Sequence, residues 1–115
     1  NVAMAEEALK DIISPGGVKK ITPELIIQVV AEHYNLTTLD ILSQRRSKDI
    51  VYPRQIAMYL CRNMTDVPLQ EIGKAMGGRD HTTIIHGIEK ISKDIEKTPT
   101  LQNTVDILKK KLNPK

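Results

Sequence analysis

Gly77-Gly78-Arg79-Asp80-His81-Thr82-Thr83-Ile84-Ile85-His86-Gly87-Ile88-Glu89-Lys90-Ile91 is the stretch on which the reading of this chain turns. Paired glycines stop a preceding helix and make a tight turn, and Asp80 is a residue type that favours the N-cap of the next one. From there Ile84, Ile88, Ile91 and Ile95 recur at i, i+4, i+7 and i+11, the spacing of an apolar stripe on a helix that runs to about Glu96. At about 100° per residue, Thr82, Thr83, His86, Lys90 and Lys93 fall on the opposite side. One side of the helix is therefore core, and the other can hydrogen-bond and carries positive charge.

Just upstream, Leu69, Ile72 and Met76 mark a shorter helix. Two helices joined by a short glycine-containing turn match the helix-turn-helix, which lays its second helix in the major groove of duplex DNA. The start of that second helix has side chains of the right reach. Asp80 can accept from a cytosine amino group, His81 can bond to a base edge, and Thr82 and Thr83 offer hydroxyls and methyls. Threonine hydroxyls and the first amides of a helix also suit phosphate oxygens. On its own Asp80 would be an ordinary cap, and it is expected to serve both purposes.

The remaining chain reads as helices. Val2, Ala5, Leu9 and Ile12 suggest a linker helix from Val2 to Ile13 that ends at Ser14-Pro15-Gly16-Gly17. Thr22-Pro23 opens a helix with Leu25, Ile26, Val29, Val30 and His33 on one side, stopping near Asn35. Thr37 or Thr38 caps a short helix through Ser43. Gln44 to Asp49 lacks apolar periodicity and reads as an exposed basic loop, after which Pro53 is expected to restart the helix that buries Ile56, Tyr59 and Leu60. Thr65-Asp66-Val67-Pro68 makes the next turn. Beyond Lys97-Thr98-Pro99, a final helix carries Leu101, Val105, Leu108 and Leu112 up to Asn113-Pro114-Lys115. The fold class is all-α: a compact helical domain with a helix-turn-helix and a basic loop over residues 21-115, preceded by a linker helix over residues 1-20.

Size and composition agree. A chain of 115 residues with 40% hydrophobic content suits one small domain. Phe and Trp are absent and Tyr is scarce, which argues for aliphatic helix packing and against stacking of bases on aromatic platforms. The net charge is only +3, but between Gln44 and Arg62 stand Arg45, Arg46, Lys48, Arg54 and Arg62 against the single acid Asp49. The lone Cys61 rules out an internal disulfide framework and fits a reducing cytosolic setting. No apolar run nears the roughly 20 residues of a membrane span, and no signal-peptide pattern opens the chain. A start at Asn1 rather than Met suggests an excised fragment.

The stretch from Gly77 to Ile91 resembles, over its whole length, the signature of the bacterial replication initiator family DnaA. Arg45-Arg46-Ser47, Pro53-Arg54-Gln55-Ile56-Ala57-Met58-Tyr59-Leu60 and Leu69-Gln70-Glu71-Ile72-Gly73 follow in the family's order, so the similarity covers roughly Ile21 to Leu112. The resemblance implies sequence-specific binding of double-stranded DNA at DnaA boxes (TTATNCACA-like) of the replication origin. Asp80, His81, Thr82 and Thr83 would read the major groove and Arg46 the adjacent minor groove. Arg45, Lys48, Gln55, Arg62, Thr65, Arg79 and Lys90 would make or support contacts to the DNA backbone. It also implies a bacterial, cytoplasmic, nucleoid-associated protein, other initiator protomers as partners, and acidic phospholipids as a partner through the linker helix with Lys19 and Lys20. No catalysis and no cofactor are expected in this fragment; ATP and Mg belong to the ATPase module upstream in the complete family protein. Gln44 and Glu89 depart from the family's more basic pattern, which points to a gentler salt dependence.

Other readings compete on specific residues. His81 and His86 are five apart, about 140° around a helix, unlike the same-face pair of a zinc helix. An acid-base pair of Asp80 and His81 lacks an apparent nucleophile or orienting group. Gly77-Gly78 lacks the lysine and the strand of a phosphate loop. His33 is expected to be a packed or hydrogen-bonded core histidine and Cys61 a small buried hydrophobe. A repressor-like helix-turn-helix with a different operator remains the alternative within DNA binding, and a membrane-binding linker helix the alternative outside it.

Overall fold

A computed structural model describes residues 21–113; the expected linker helix, with Lys19 and Lys20, lies outside the described residues. Among those described there are six α-helices and no strand: α1 (Pro23–His33), α2 (Thr38–Leu42), α3 (Lys48–Met64), α4 (Leu69–Ala75), α5 (His81–Lys97) and α6 (Pro99–Leu112). The boundaries follow from local chemistry. Thr22 accepts from the Leu25 amide at 3.2 Å ahead of Pro23, and α1 ends at Asn35, whose φ of 59° is left-handed. Thr37 and Asp40 form a reciprocal capping box on α2, each side chain bonded to the other's amide at 3.1 Å. These bonds from Thr37 hold the Asp40 carboxyl below the usual carboxylate range.

α3 begins at Lys48, five residues before the proline expected to open it. The Ile50 and Val51 amides donate to the Ser47 carbonyl at 3.0 and 2.9 Å, and Ile50 is buried, so the first turn is already formed when Pro53 arrives. The proline forfeits one bond, to the Asp49 carbonyl, near an end where few bonds depend on it. Consequently the irregular basic loop is shorter than Gln44 to Asp49, and Lys48 stands on the helix. A single residue, Thr98, separates α5 from α6 and flanks both.

α3 is the central helix. Its Ile56, Ala57, Leu60 and Cys61 pack in one cluster with Ile26 and Val30 of α1, Ile72 of α4, Ile84 and Ile91 of α5, and Leu101, Val105, Leu108 and Leu112 of α6. The isoleucine stripe of α5 is narrower than its spacing suggests: Ile84 and Ile91 are fully buried, while Ile88 and Ile95 are half-buried at the rim. Gly87 lies on this side too, and a Cβ there would overlap the Met58 sulfur and crowd the Gln55 side chain. Its missing side chain lets α5 and α3 approach closely.

Between α4 and α5 the turn is held by backbone bonds. Gly77 and Gly78 have φ of 88° and 81°, and the amides of Gly78 and Arg79 both donate to the Gly73 carbonyl, at 3.0 and 2.8 Å. A Cβ on Gly73 would collide with the Arg79 carbonyl oxygen, a backbone atom with little room to yield.

The basic loop is anchored from behind by two arginines. Arg54 is 5% exposed; its Nε donates to the Ile41 carbonyl at 2.7 Å, Nη2 to Ser43 at 2.8 Å and Nη1 to Arg45 at 3.0 Å. Arg79 reaches the same place from the α4-α5 turn, donating to the carbonyls of Met76 and Ser43 and, at 3.5 Å, to Leu42. The last carbonyls of α2 have no partners within the helix, and these guanidinium groups supply them. Burial, and for Arg54 also the nearby charge of Arg79, lowers both pKa values, yet guanidinium remains protonated at neutral pH.

Two substitutions test this scaffold by urea denaturation. Gly73→Ala should lower the unfolding free energy by about 3 kcal/mol, because the turn must move to admit the methyl group. Arg54→Ala removes the donor to three carbonyls and should also cost about 3 kcal/mol, whereas Arg62→Ala, at an exposed position, should stay within ~0.5 kcal/mol. Equal midpoints for Arg54→Ala and Arg62→Ala would contradict the anchoring role.

Candidate nucleic-acid interface

Asp80, His81, Thr82 and Thr83 are all exposed at the start of α5. Asp80 occupies the N-cap position with extended backbone, but its side chain makes no capping bond, contrary to the expected double use. Its carboxylate Oδ1 instead lies 3.3 Å from His81 Nδ1. The first-turn amides of α5 thus lack a side-chain acceptor, and the polar side chains around them face solvent. Thr82, His86, Lys90 and Lys93 continue along the exposed side, away from Ile84 and Ile91.

Arg45, Arg46, Ser47 and Lys48 are exposed too. Ser43, at the root of this segment, is where Arg79 of the turn and Arg54 of α3 both bind. The basic loop and the beginning of α5 are therefore fastened to each other through a shared carbonyl, although they stand far apart in sequence. Arg79 reaches Ser43 from the position immediately before Asp80, so the start of α5 is tied to the root of the segment that carries Arg46. Among the described residues no carboxylate stands within ion-pair distance of Arg45, Arg46, Arg54 or Arg79.

Beside it, Lys48, Asp49, Val51, Tyr52, Gln55 and Lys90 line an open groove of about 610 Å³ between the start of α3 and the middle of α5. Lys90 Nζ lies 3.4 Å from Asp94 Oδ2, and Asp94 lies beside the Tyr52 phenol of α3. Burial first, then the charge of this nearby carboxylate, raises the Tyr52 phenol above its ordinary value. Of the expected backbone-contact residues, Lys48, Gln55 and Lys90 are brought together along this groove. Arg62 and Thr65 are not: Arg62 is fourteen residues along α3 from Lys48, about 21 Å by helical rise. The Thr65 hydroxyl is occupied, donating to the Cys61 carbonyl at 2.6 Å and accepting from the Val67 amide at 3.3 Å. Arg79 likewise gives its guanidinium to protein carbonyls, so it acts as a brace rather than an open cation.

Three residues escape a reading by charge alone. Arg54 counts toward the basic excess in sequence, yet it is buried; the signal was its place in the series Ile50, Arg54, Ala57, Cys61, which is i, i+4, i+7 and i+11 and so marks the buried side of α3. Tyr52 and Asp94 form the link behind Lys90, and only the i, i+4 spacing of Lys90 and Asp94 hints at it. No group of three metal-ligating side chains occurs among the described residues. His33 is half-buried with its Nδ1 3.3 Å from Lys111 Nζ, and burial followed by that lysine's charge lowers its pKa. Cys61 is fully buried and its thiol is pushed up to about 12, an inert state. No described helix is long and apolar enough to cross a membrane.

Known proteins with this pattern are found at both levels of comparison. The chain is 57% identical over 114 residues to the chromosomal replication initiator protein DnaA of Lachnoclostridium phytofermentans, covering 99% of this chain and 25% of that protein. It thus spans about a quarter of that relative's length. A crystal structure described as that of a DNA replication initiation factor matches the fold with a TM-score of 0.70 and 36% identity, over 78% of this chain and 27% of the other. Residues 23–91, which take in α1 through the isoleucine-backed part of α5, match the family described as bacterial DnaA protein helix-turn-helix. With its glycine turn and its exposed helix start inside that match, the chain belongs to the bacterial DnaA helix-turn-helix family.

Proposed function

We propose that this chain is the double-stranded DNA reader of a replication initiator, recognising DnaA boxes of the TTATNCACA type. The observation that carries the reading is the junction at Ser43: one carbonyl, bound by Arg54 and Arg79, holds an exposed arginine loop beside an exposed, uncapped helix start. Loop and helix can then grip adjacent grooves of one duplex without first being ordered, which removes an entropy cost from binding.

In this reading α5 enters the major groove by its first turn. Asp80 accepts from a cytosine amino group, His81 bonds to a base edge, and the methyls and hydroxyls of Thr82 and Thr83 contact thymine and phosphate. Arg46 enters the neighbouring minor groove. Arg45, Lys48, Gln55 and Lys90 supply the sequence-independent phosphate contacts, with Arg62 farther along the backbone and with Thr65 and Arg79 supporting from within. The module does no chemistry and takes no cofactor of its own; ATP and Mg act in the ATPase module of the whole initiator, whose protomers assemble on the origin in the bacterial cytoplasm. Residues 1–20 would connect that module to this one.

Fluorescence anisotropy on box and shuffled duplexes separates the roles. His81→Ala and Thr82→Ala should each reduce the preference for the box by ~1–3 kcal/mol while leaving affinity for shuffled DNA nearly unchanged. Arg46→Ala should weaken box binding by tenfold or more, about 1.4 kcal/mol per decade. Equal losses on both duplexes for His81→Ala and Thr82→Ala would make these residues phosphate contacts and overturn the base-reading assignment.

A further inference from the structure

Lys90 does not stand free at the edge of its groove. Its ammonium lies 3.4 Å from the Asp94 carboxylate one helical turn on, and the two side chains differ in freedom: 57% of the lysine is exposed against 23% of the aspartate. Asp94 also lies beside the Tyr52 phenol of the neighbouring helix α3. An ordinary surface pair is weak because both side chains must be ordered to form it. Here the carboxylate is largely covered, so most of the ordering falls on the lysine. A phosphate arriving at the groove meets Lys48 and Gln55 with open donors and a Lys90 whose charge is partly answered from within.

We infer that the partly buried Asp94 regulates the charge of the DNA interface: it keeps Lys90 in an internal pair, so that this lysine counts as only a fraction of a cation toward phosphate. This rests on the DNA-binding reading above and assigns residues that the family signature does not include. Sequence-independent affinity comes almost entirely from lysines and arginines that neutralise phosphates and release counterions. Asp94 lowers that share without touching the base-reading turn, which lies at the other end of α5.

The test is the slope of log affinity against log salt. Asp94→Asn preserves size and hydrogen bonding and removes the charge; it should steepen the slope by up to ~0.9, one phosphate's worth. Between about 200 and 50 mM salt its affinity for both box and shuffled duplexes should then rise roughly three times more than that of the native chain. Asp94→Glu should restore the native slope, and Asp106→Asn, which removes a carboxylate of the exposed α6 surface, should leave it alone. Lys90→Ala supplies a second route if Asp94→Asn proves unfolded by circular dichroism. In the native background it should flatten the slope by clearly less than the ~0.9 of a whole phosphate contact, and in the Asp94→Asn background by nearly all of it. An unchanged or shallower slope in folded Asp94→Asn, or a full loss from Lys90→Ala alone, would overturn the inference while leaving the DNA reader intact. If the native chain shows no salt-dependent affinity for duplex, the DNA-binding reading itself fails and this inference with it.

Discussion

Two guanidinium groups converge on the carbonyl of Ser43, and the geometry of the interface depends on that meeting. Arg54 comes from the central helix and Arg79 from the turn that launches α5. Among the described residues neither pairs with a carboxylate; both are satisfied by main-chain oxygens at the end of α2, in the loop that follows and in the turn before α5. Carbonyl acceptors order the arginines without cancelling their charge. The same bonds therefore serve two ends that usually conflict, stiffness in a short loop and a positive potential in front of it.

Close approach of helices does the rest. Gly73 lets the α4-α5 turn fold back onto α4, and Gly87 lets α5 lie against Met58 and Gln55 of α3. A small domain with no Phe or Trp must gain its stability from tight aliphatic packing, and these two positions allow it where larger residues would push the helices apart. Gln55 illustrates the coupling. It packs beside Gly87 on one side and lines the groove with Lys48 and Lys90 on the other, so packing between α3 and α5 also sets the width of the groove.

Much of this was legible in the residues. The isoleucine spacing placed α5, paired glycines placed its turn, and Thr22-Pro23 placed the start of α1. The exposed character of Asp80 to Thr83 followed from the same periodicity. What sequence reading missed has a common cause: it treated polar residues by type rather than by phase. Arg54 counts toward the basic excess by type, yet it shares the buried stripe with Ile50 and Ala57. Pro53 suggests a helix start because proline favours the first turn, whereas the burial of Ile50 draws the preceding residues into the helix. Asp80 stands at the N-cap position without a capping bond, and its carboxylate lies against His81 instead. Charge is a long-range property and reads well from composition; which partner a given side chain chooses is settled by distances that only the folded chain supplies.

That uncapped beginning of α5 has a meaning for energetics. A helix normally closes its own first turn with a side-chain oxygen, and leaving this undone sacrifices about 1 kcal/mol of stability in the isolated protein. The open amides and the positive end of the helix are then completed by whatever anion docks against them. A nucleic acid in that position would supply the missing acceptors to a helix end that is already in place.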